Sequence, residues 1–235
     1  MRIARVTDQR ELAKLYGFRY RIFVEELGWL ARKDRGARKL VDEFDRDAAE
    51  YAAYEVASGQ IVGSVRAVTD GPLGLPLERC RVLDGYREDK RLVELSRLAV
   101  APKYRGTLLA ALLMKGAFQW ADRHGATHIV LDTYTDGVLA PDRLYLKMGF
   151  EQLTRRYRDP DYLWKKNVIT LALDIEAAKR DWRSLRPSLL KFFTADDERI
   201  DHGAAPGLWP VPQRRERRRP VAVPAELAGL SGLGL

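Results

Sequence analysis

Glu94 lies in a short β-branched and apolar run, Val93-Glu94-Leu95-Ser96-Arg97-Leu98-Ala99-Val100. The run passes through Ala101-Pro102 into Lys103-Tyr104-Arg105-Gly106 and then into a long apolar-periodic segment. Read as strand, loop and helix, it places a carboxylate that can take a proton close to a loop whose backbone N–H groups face a helix N-terminus, where anions are favoured. A base beside an anion cradle suits acyl transfer from a phosphopantetheine thioester. An attacking amine must first lose a proton, and the developing oxyanion needs N–H donors. Tyr145 could protonate the leaving thiolate. Each residue also has a plainer reading, Glu94 as an ion-pair partner of Arg97 or Arg66 and Tyr145 as a core aromatic.

Other elements must position this stretch. Ile3 to Val6 reads as a strand, and Asp8 with Glu11 forms a capping-box-like start for a helix carrying Leu12, Leu15, Tyr16, Arg19, Phe23 and Leu27 at three- and four-residue spacing, with Gly28 as its stop. Asp42-Glu43-Phe44-Asp45-Arg46-Asp47 is a dense acidic cluster, either a solvated turn or a site for a cation. Residues 50–57 and 61–68 pair as a hairpin across Ser58-Gly59-Gln60, with Arg66 in the second strand. Residues 69–90 form a long connection with a helical turn near 76–80. Residues 107–124 form an amphipathic helix ended by Gly125, and 128–134 a buried central strand. A short helix over 140–148, strands over 150–154 and 168–175, and a helix from 176 to about 182 complete the order, which fades from His202 onward.

At 235 residues with 46% hydrophobic side chains, the chain is sized for one core. The single cysteine, Cys80, excludes an intramolecular disulfide, and three histidines without a Cys pair argue against a metal site; a reducing cytoplasm fits. Charge within Met1 to Val6 and the lack of any run of about 18 apolar residues speak against a signal peptide and a membrane span. The net charge is +8, and half of it sits between Arg214 and Arg219, flanked by prolines. That run reads as a flexible solvated tail or as a contact for an acidic partner, such as an acyl carrier protein or a membrane surface. Nucleic acid ranks last, because no interleaved aromatics or binding motif accompany it.

The order of elements, with Leu144-Tyr145-Leu146-Lys147-Met148-Gly149-Phe150, resembles the GNAT acyltransferase superfamily. More narrowly, Arg19, Phe23, Trp29, Asp42, Asp45, Arg66, Glu94 and Arg97 fall in order as in the acyl-homoserine-lactone (autoinducer) synthase family. The resemblance implies an α/β (α+β) fold, a GNAT-like single domain over residues 1–202 with a mixed central sheet of about seven strands flanked by helices, followed by a basic, Pro/Gly-rich flexible tail over 203–235. It implies that Arg19, Phe23, Trp29, Asp42, Asp45 and Arg66 shape an S-adenosylmethionine-like acceptor pocket, the Asp pair facing a cation. Glu94, Arg97 and Tyr145 would serve catalysis, and Val100, Lys103, Arg105 and Gly106 would hold the acyl donor. No tightly bound cofactor is implied; the substrates would be S-adenosylmethionine and acyl-ACP or acyl-CoA, with an acidic acyl carrier protein as partner. The amine would attack the thioester and the methionine carboxylate would close a lactone, releasing methylthioadenosine.

Three departures bear on these expectations. Leu108 stands where the superfamily loop carries a small residue, and a side chain there impedes close approach of a pyrophosphate, which favours a carrier-protein donor. The segment 145–150 is closer to ordinary GNAT enzymes than to autoinducer synthases. The segment beyond Ile175 has no counterpart in the autoinducer group. Related long-chain N-acyl amino acid synthases share the framework, so an amino-acid acceptor without lactonisation is the alternative, followed by a plain acetyl-coenzyme A acetyltransferase or a silent GNAT-fold binding module.

Overall fold

The computed structural model describes residues 1–30, 36–80, 83, 85–135, 141–159 and 167–203. Most of the tail expected over 203–235 therefore lies outside the described residues. The elements follow as β1 (Arg2–Val6), α1 (Gln9–Tyr20), β2 (Ala48–Tyr54), β3 (Ile61–Thr69), β4 (Leu92–Val100), α2 (Leu109–Arg123), β5 (His128–Tyr134), α3 (Asp142–Lys147), β6 (Glu151–Gln152), β7 (Tyr157–Arg158), β8 (Asn167–Asp174), α4 (Ile175–Leu185), α5 (Pro187–Thr194) and β9 (Ile200–Asp201). They build one mixed sheet of nine strands in the order β6-β8-β5-β4-β3-β2-β1-β9, with β7 also on β8. Its excess over about seven comes from β7 and β9, two-residue strands too short to leave a periodic signal.

Local chemistry sets the ends of α1. The Asp8 carboxylate accepts the N–H groups of Arg10 and Glu11 at 2.9 and 3.0 Å, satisfying two donors that the first turn leaves open. Beyond Tyr20 the helix widens into a π-helical turn, Arg21–Glu26, and ends as Gly28 takes φ +59°. The Phe23 carbonyl then accepts both Trp29 N–H (2.9 Å) and Leu30 N–H (3.2 Å), folding Trp29 back beside Phe23. Widened turns of this kind recur where a helix must re-aim side chains at a site.

Two irregularities open the middle of the sheet. In β4, Arg97 adopts φ +54°, and Arg97 and Leu98 together oppose Val65, because Ser64 pairs with Ala99 and Arg66 with Ser96. This is a β-bulge, held by Ser64 Oγ donating to the Arg97 carbonyl at 2.9 Å. A left-handed arginine costs roughly 1–3 kcal/mol and persists only where its surroundings hold it. On the other edge, β4 pairs in parallel with β5 only from Leu92/His128 to Glu94/Val130. Past Glu94 the two strands are no longer hydrogen-bonded.

Helix α2 lies across β2, β3 and β4 and buries Leu109, Leu112, Leu113 and Trp120 in the main core. Its approach requires Gly63, where an added Cβ would stand 2.8 Å from Leu113 Cδ1. Order holds up to the expected fading point at His202. Trp182 of α4 packs with Phe118 and Phe193 at 5.6 and 5.2 Å between ring centroids, and β9 pairs in parallel with β1. His202 bridges Tyr51 Oη (2.7 Å) and Gln119 Oε1 (3.0 Å), so the chain is tied down through residue 202 by contacts that no local pattern announces. No helix among the described residues is long and apolar enough to cross a membrane.

Candidate active site

The gap between β4 and β5 is a cavity of about 360 Å³. Residue alternation gives it two walls. Toward α2 it is lined by Leu95, Ala110, Met114, Leu131 and Tyr145; on the opposite face of the sheet it meets Phe23, Trp29, Arg66, Glu94, Asp132 and Tyr134. Seven residues singled out in the sequence, Phe23, Trp29, Arg66, Glu94, Arg97, Val100 and Tyr145, line it together.

Arg19, Asp42 and Asp45 do not. They stand behind the wall in a network in which cations and carboxylates alternate. Fully buried Arg19 donates to Glu50 (2.9 Å, with a second, shorter contact) and to Asp45 (3.1 Å). Arg66 reaches Asp42 at 2.6 Å and Asp45 at 2.9 Å, while Arg97 reaches Asp42 at 3.0 Å. The cations that the acidic pair faces are thus the chain's own guanidiniums. Asp42 N–H closes the turn on Asp45 at 2.7 Å, which corrects the solvated-turn reading, since both carboxylates are largely buried. Although burial alone would raise it, the guanidiniums of Arg66 and Arg97 hold the Asp42 carboxyl well below the ordinary range. Burial pushes Glu50 up to about 7 against the pull of Arg19, with Asp45 adding to the rise.

Glu94 is 3% exposed and accepts the Leu77 N–H at 2.8 Å. It forms no ion pair with Arg66 or Arg97, because both spend their guanidinium N–H groups on Asp42, Asp45 and Ser96. Burial pushes its carboxyl up to about 8; the Leu77 N–H opposes this and the charge of Asp132 adds to it. A carboxylate held near neutrality in a cleft has the property a general base needs. Tyr145 packs edge-on against Phe150 at 5.5 Å while lining the cavity, and burial raises its hydroxyl to about 12.

The residues expected to hold the acyl donor divide. Val100 lines the cavity, whereas Lys103 and Arg105 lie on an exposed loop paired with Glu55 (3.3 Å) and Glu26 (2.5 Å). Gly106 takes φ +75° there, which a Cβ would resist. Leu108, 54% exposed, occupies the N-cap of α2, and Thr107 Oγ1 accepts the Leu109 N–H at 3.3 Å in its stead.

Sequence reasoning missed several lining residues. Phe23 and Trp29 stand 6.2 Å apart between ring centroids, and Tyr134 meets Trp29 edge-on at 5.3 Å. Asp132 and Thr133 also line the cavity, and the Thr133 hydroxyl is buried without a protein partner. An acid inside an apolar strand, as at Asp132 or Glu50, was the available signal. Cys80 and Asp159 meet across the cavity lining, the thiol donating at 3.4 Å. Among the described residues no three His, Cys, Asp or Glu side chains converge as metal ligands.

The model of the N-acyl amino acid synthase FeeM family matches residues 14–174, well over half of the chain. The protein belongs to this family. It is an acyltransferase of the FeeM family with a GNAT-like fold. An uncharacterised N-acetyltransferase of Schizosaccharomyces pombe (strain 972 / ATCC 24843) is 39% identical over 82 residues, 35% of this chain, and the match spans about half (47%) of that relative. The solved structure of FeeM, an N-acyl amino acid synthase from uncultured soil microbes, superposes with TM-score 0.59 at 18% identity, covering 76% of this chain and 92% of FeeM. BjaI, a CoA-dependent acyl-homoserine lactone synthase with MTA, superposes with TM-score 0.61 at 19% identity, covering 88% and 95%. At these identities the two structures speak for the fold.

Proposed function

We propose that this FeeM-family acyltransferase moves a fatty acyl group from an acyl-carrier-protein or acyl-CoA thioester to the α-amino group of an amino acid. The observation that carries this reading is the position of Glu94. Its buried carboxyl, left unpaired by the neighbouring arginines, stands at the closed end of a cleft with one charged and one apolar wall.

The apolar wall suits an acyl chain and the charged wall a zwitterion. The acceptor ammonium gives a proton to Glu94, and the neutral nitrogen attacks the thioester carbon. Backbone N–H groups of β4 beyond Glu94, on the edge that β5 leaves uncovered, are available to the tetrahedral oxyanion. As the C–S bond breaks, the thiolate takes a proton from Tyr145 and the nitrogen loses its second proton to solvent; the proton held by Glu94 then restores Tyr145 by way of solvent, returning both groups to their starting states. The products are an amide, a thiol and one proton released to solvent. Val100 with the Lys103–Gly106 loop would receive the phosphopantetheine arm, and half-exposed Leu108 at the head of α2 favours a carrier protein over a nucleotide-bearing donor. Arg19, Asp42 and Asp45 act by fixing Arg66 and Arg97.

A second reading, S-adenosylmethionine as acceptor with lactonisation, is favoured by the cluster of Phe23, Trp29 and Tyr134, since aromatic faces attract cationic groups. Both are tested by incubating the protein with acyl-CoA or acyl-carrier protein and either the proteinogenic amino acids or S-adenosylmethionine, with products read by mass spectrometry. An N-acyl amino acid supports the first, methylthioadenosine with an acyl lactone supports the second, and consumption of no acceptor overturns both.

A further inference from the structure

The buried charges behind the cleft form a chain in which each member touches the next: Glu50, Arg19, Asp45, Arg66, Asp42 and Arg97. Asp45 is shared by Arg19 and Arg66, and Asp42 by Arg66 and Arg97. The chain thus begins with a carboxylate in the interior and ends with a guanidinium at the cavity, which Arg97 lines. Arg66, whose side chain is 1% exposed, donates to Ser96 as well as to both aspartates. Arg97 is different. Its side chain is 17% exposed, and among the described residues Asp42 is the one partner of its guanidinium, taking a single N–H from Nη2 at 3.0 Å. A guanidinium carries five N–H donors.

Arg97 does not reach this place by strand alternation. Val93 and Leu95 lie in the core beneath α2, and Ser96, on the other face, accepts the Arg66 Nε–H at 3.1 Å, so regular alternation would turn Arg97 toward α2. The bulge at Arg97 and Leu98, with Arg97 at φ +54°, turns its guanidinium to the charged face instead. Strain that brings a partly satisfied cation to a cavity wall is of the kind held at functional sites.

We propose that Arg97 binds the α-carboxylate of the acceptor, which becomes the next member of the alternating chain, while the amine stands at Glu94 on the same strand. This rests on the acyl-transfer reading of the cleft, and it holds for an amino acid and for S-adenosylmethionine alike, since both carry an α-carboxylate. The forked donors of a guanidinium match a carboxylate in two parallel hydrogen bonds. The other described cations lining the cavity are Arg66 and Arg79; the first is spent on Asp42, Asp45 and Ser96, and the second pairs with Glu43 at 2.5 Å.

The test compares the acceptor that wild type consumes with its α-carboxamide, in wild type and in Arg97→Gln, by steady-state kinetics with the thioester that wild type accepts. Wild type should favour the free acid roughly 10- to 100-fold in kcat/KM, the worth of a hydrogen bond between charged groups. In Arg97→Gln the KM of the acid should rise by that factor while those of the amide and the donor stay unchanged, so that the preference disappears. A wild type indifferent to the amide overturns the proposal. So does an Arg97→Gln enzyme that keeps the wild-type preference, whether its KM values are unmoved or rise equally for acid and amide, the second of which would make Arg97 a structural residue. Should Arg97→Gln fail to fold, Arg97→Gly decides, because glycine takes φ +54° without strain and Asp42 keeps Arg66. Loss of the preference in that variant supports the proposal and its retention overturns it. A wild type that acylates no amine overturns the acyl-transfer reading itself, whereas an active wild type beside an Arg97→Gln enzyme of unaltered preference sinks only the role of Arg97.

Discussion

On the face that carries Arg66 and Glu94, the cleft is backed by a buried network in which the guanidiniums of Arg19, Arg66 and Arg97 alternate with Asp42, Asp45 and Glu50. On the α2 face, the same cleft is walled by Leu95, Ala110, Met114 and Leu131, which contribute contact area and no direction. The difference lies in how each wall resists change. A buried ion network tolerates loss of a member poorly, because a removed partner leaves a charge uncompensated in a weakly polarisable medium. An apolar wall tolerates a change of shape, so long as volume is kept. Rigid recognition of a small zwitterion and loose accommodation of an acyl chain can therefore share one cavity.

The sharpest way to break this contrast is at Glu94. Glu94→Gln should lower the acylation rate by roughly 10²–10⁴-fold, the usual worth of a positioned base, with little effect on melting temperature. In wild type the rate should climb as pH rises toward about 8 and then level, since the carboxyl must be ionised to take a proton and burial has raised it. A Glu94→Gln enzyme of undiminished rate would remove the base from the mechanism.

Next comes Arg66→Met, which strips Asp42 and Asp45 of a shared cation. We expect a loss of about 3–5 kcal/mol in denaturant unfolding. A loss below about 1 kcal/mol would mean that the network behaves like surface pairs. The opposite wall should respond in selectivity instead. Met114→Trp should shift donor preference to shorter chains, at about 0.8 kcal/mol, or roughly fourfold in kcat/KM, for each methylene excluded. Acceptor KM should hold steady, and a parallel change in it would show that the walls are not independent. The smallest effect is expected from truncation after Pro212. Treating residues 1–202 as the catalytic domain, single-turnover acylation should be unchanged, and a loss of chemistry would assign the Arg-rich tail a part in the site.

Residue types and short spacings were enough to read the strand–loop–helix around Glu94, the hairpin that carries Arg66, the Asp8 cap and the amphipathic α2, because each depends on contacts a few residues long. The resemblance to the autoinducer synthases implied that Arg19, Asp42, Asp45 and Arg97 belong together. The partners each would choose were not legible, for Arg97 reaches Asp42 across 55 positions and Arg19 reaches Glu50 across 31. Which charges meet is decided by strand order and register, and a guanidinium can be satisfied by any carboxylate the fold delivers. The same holds for the cleft. It exists because β4 bulges at Arg97 and parts from β5 after Glu94, so Glu94 stands free of the arginines beside it in sequence and Asp132 stands opposite. The sequence by itself determined the chemical groups and the elements that carry them. Only the tertiary structure decided that Asp42, Asp45 and Glu50 meet arginines while Glu94 faces the cavity without one, because that depends on long-range pairing geometry rather than on local preference.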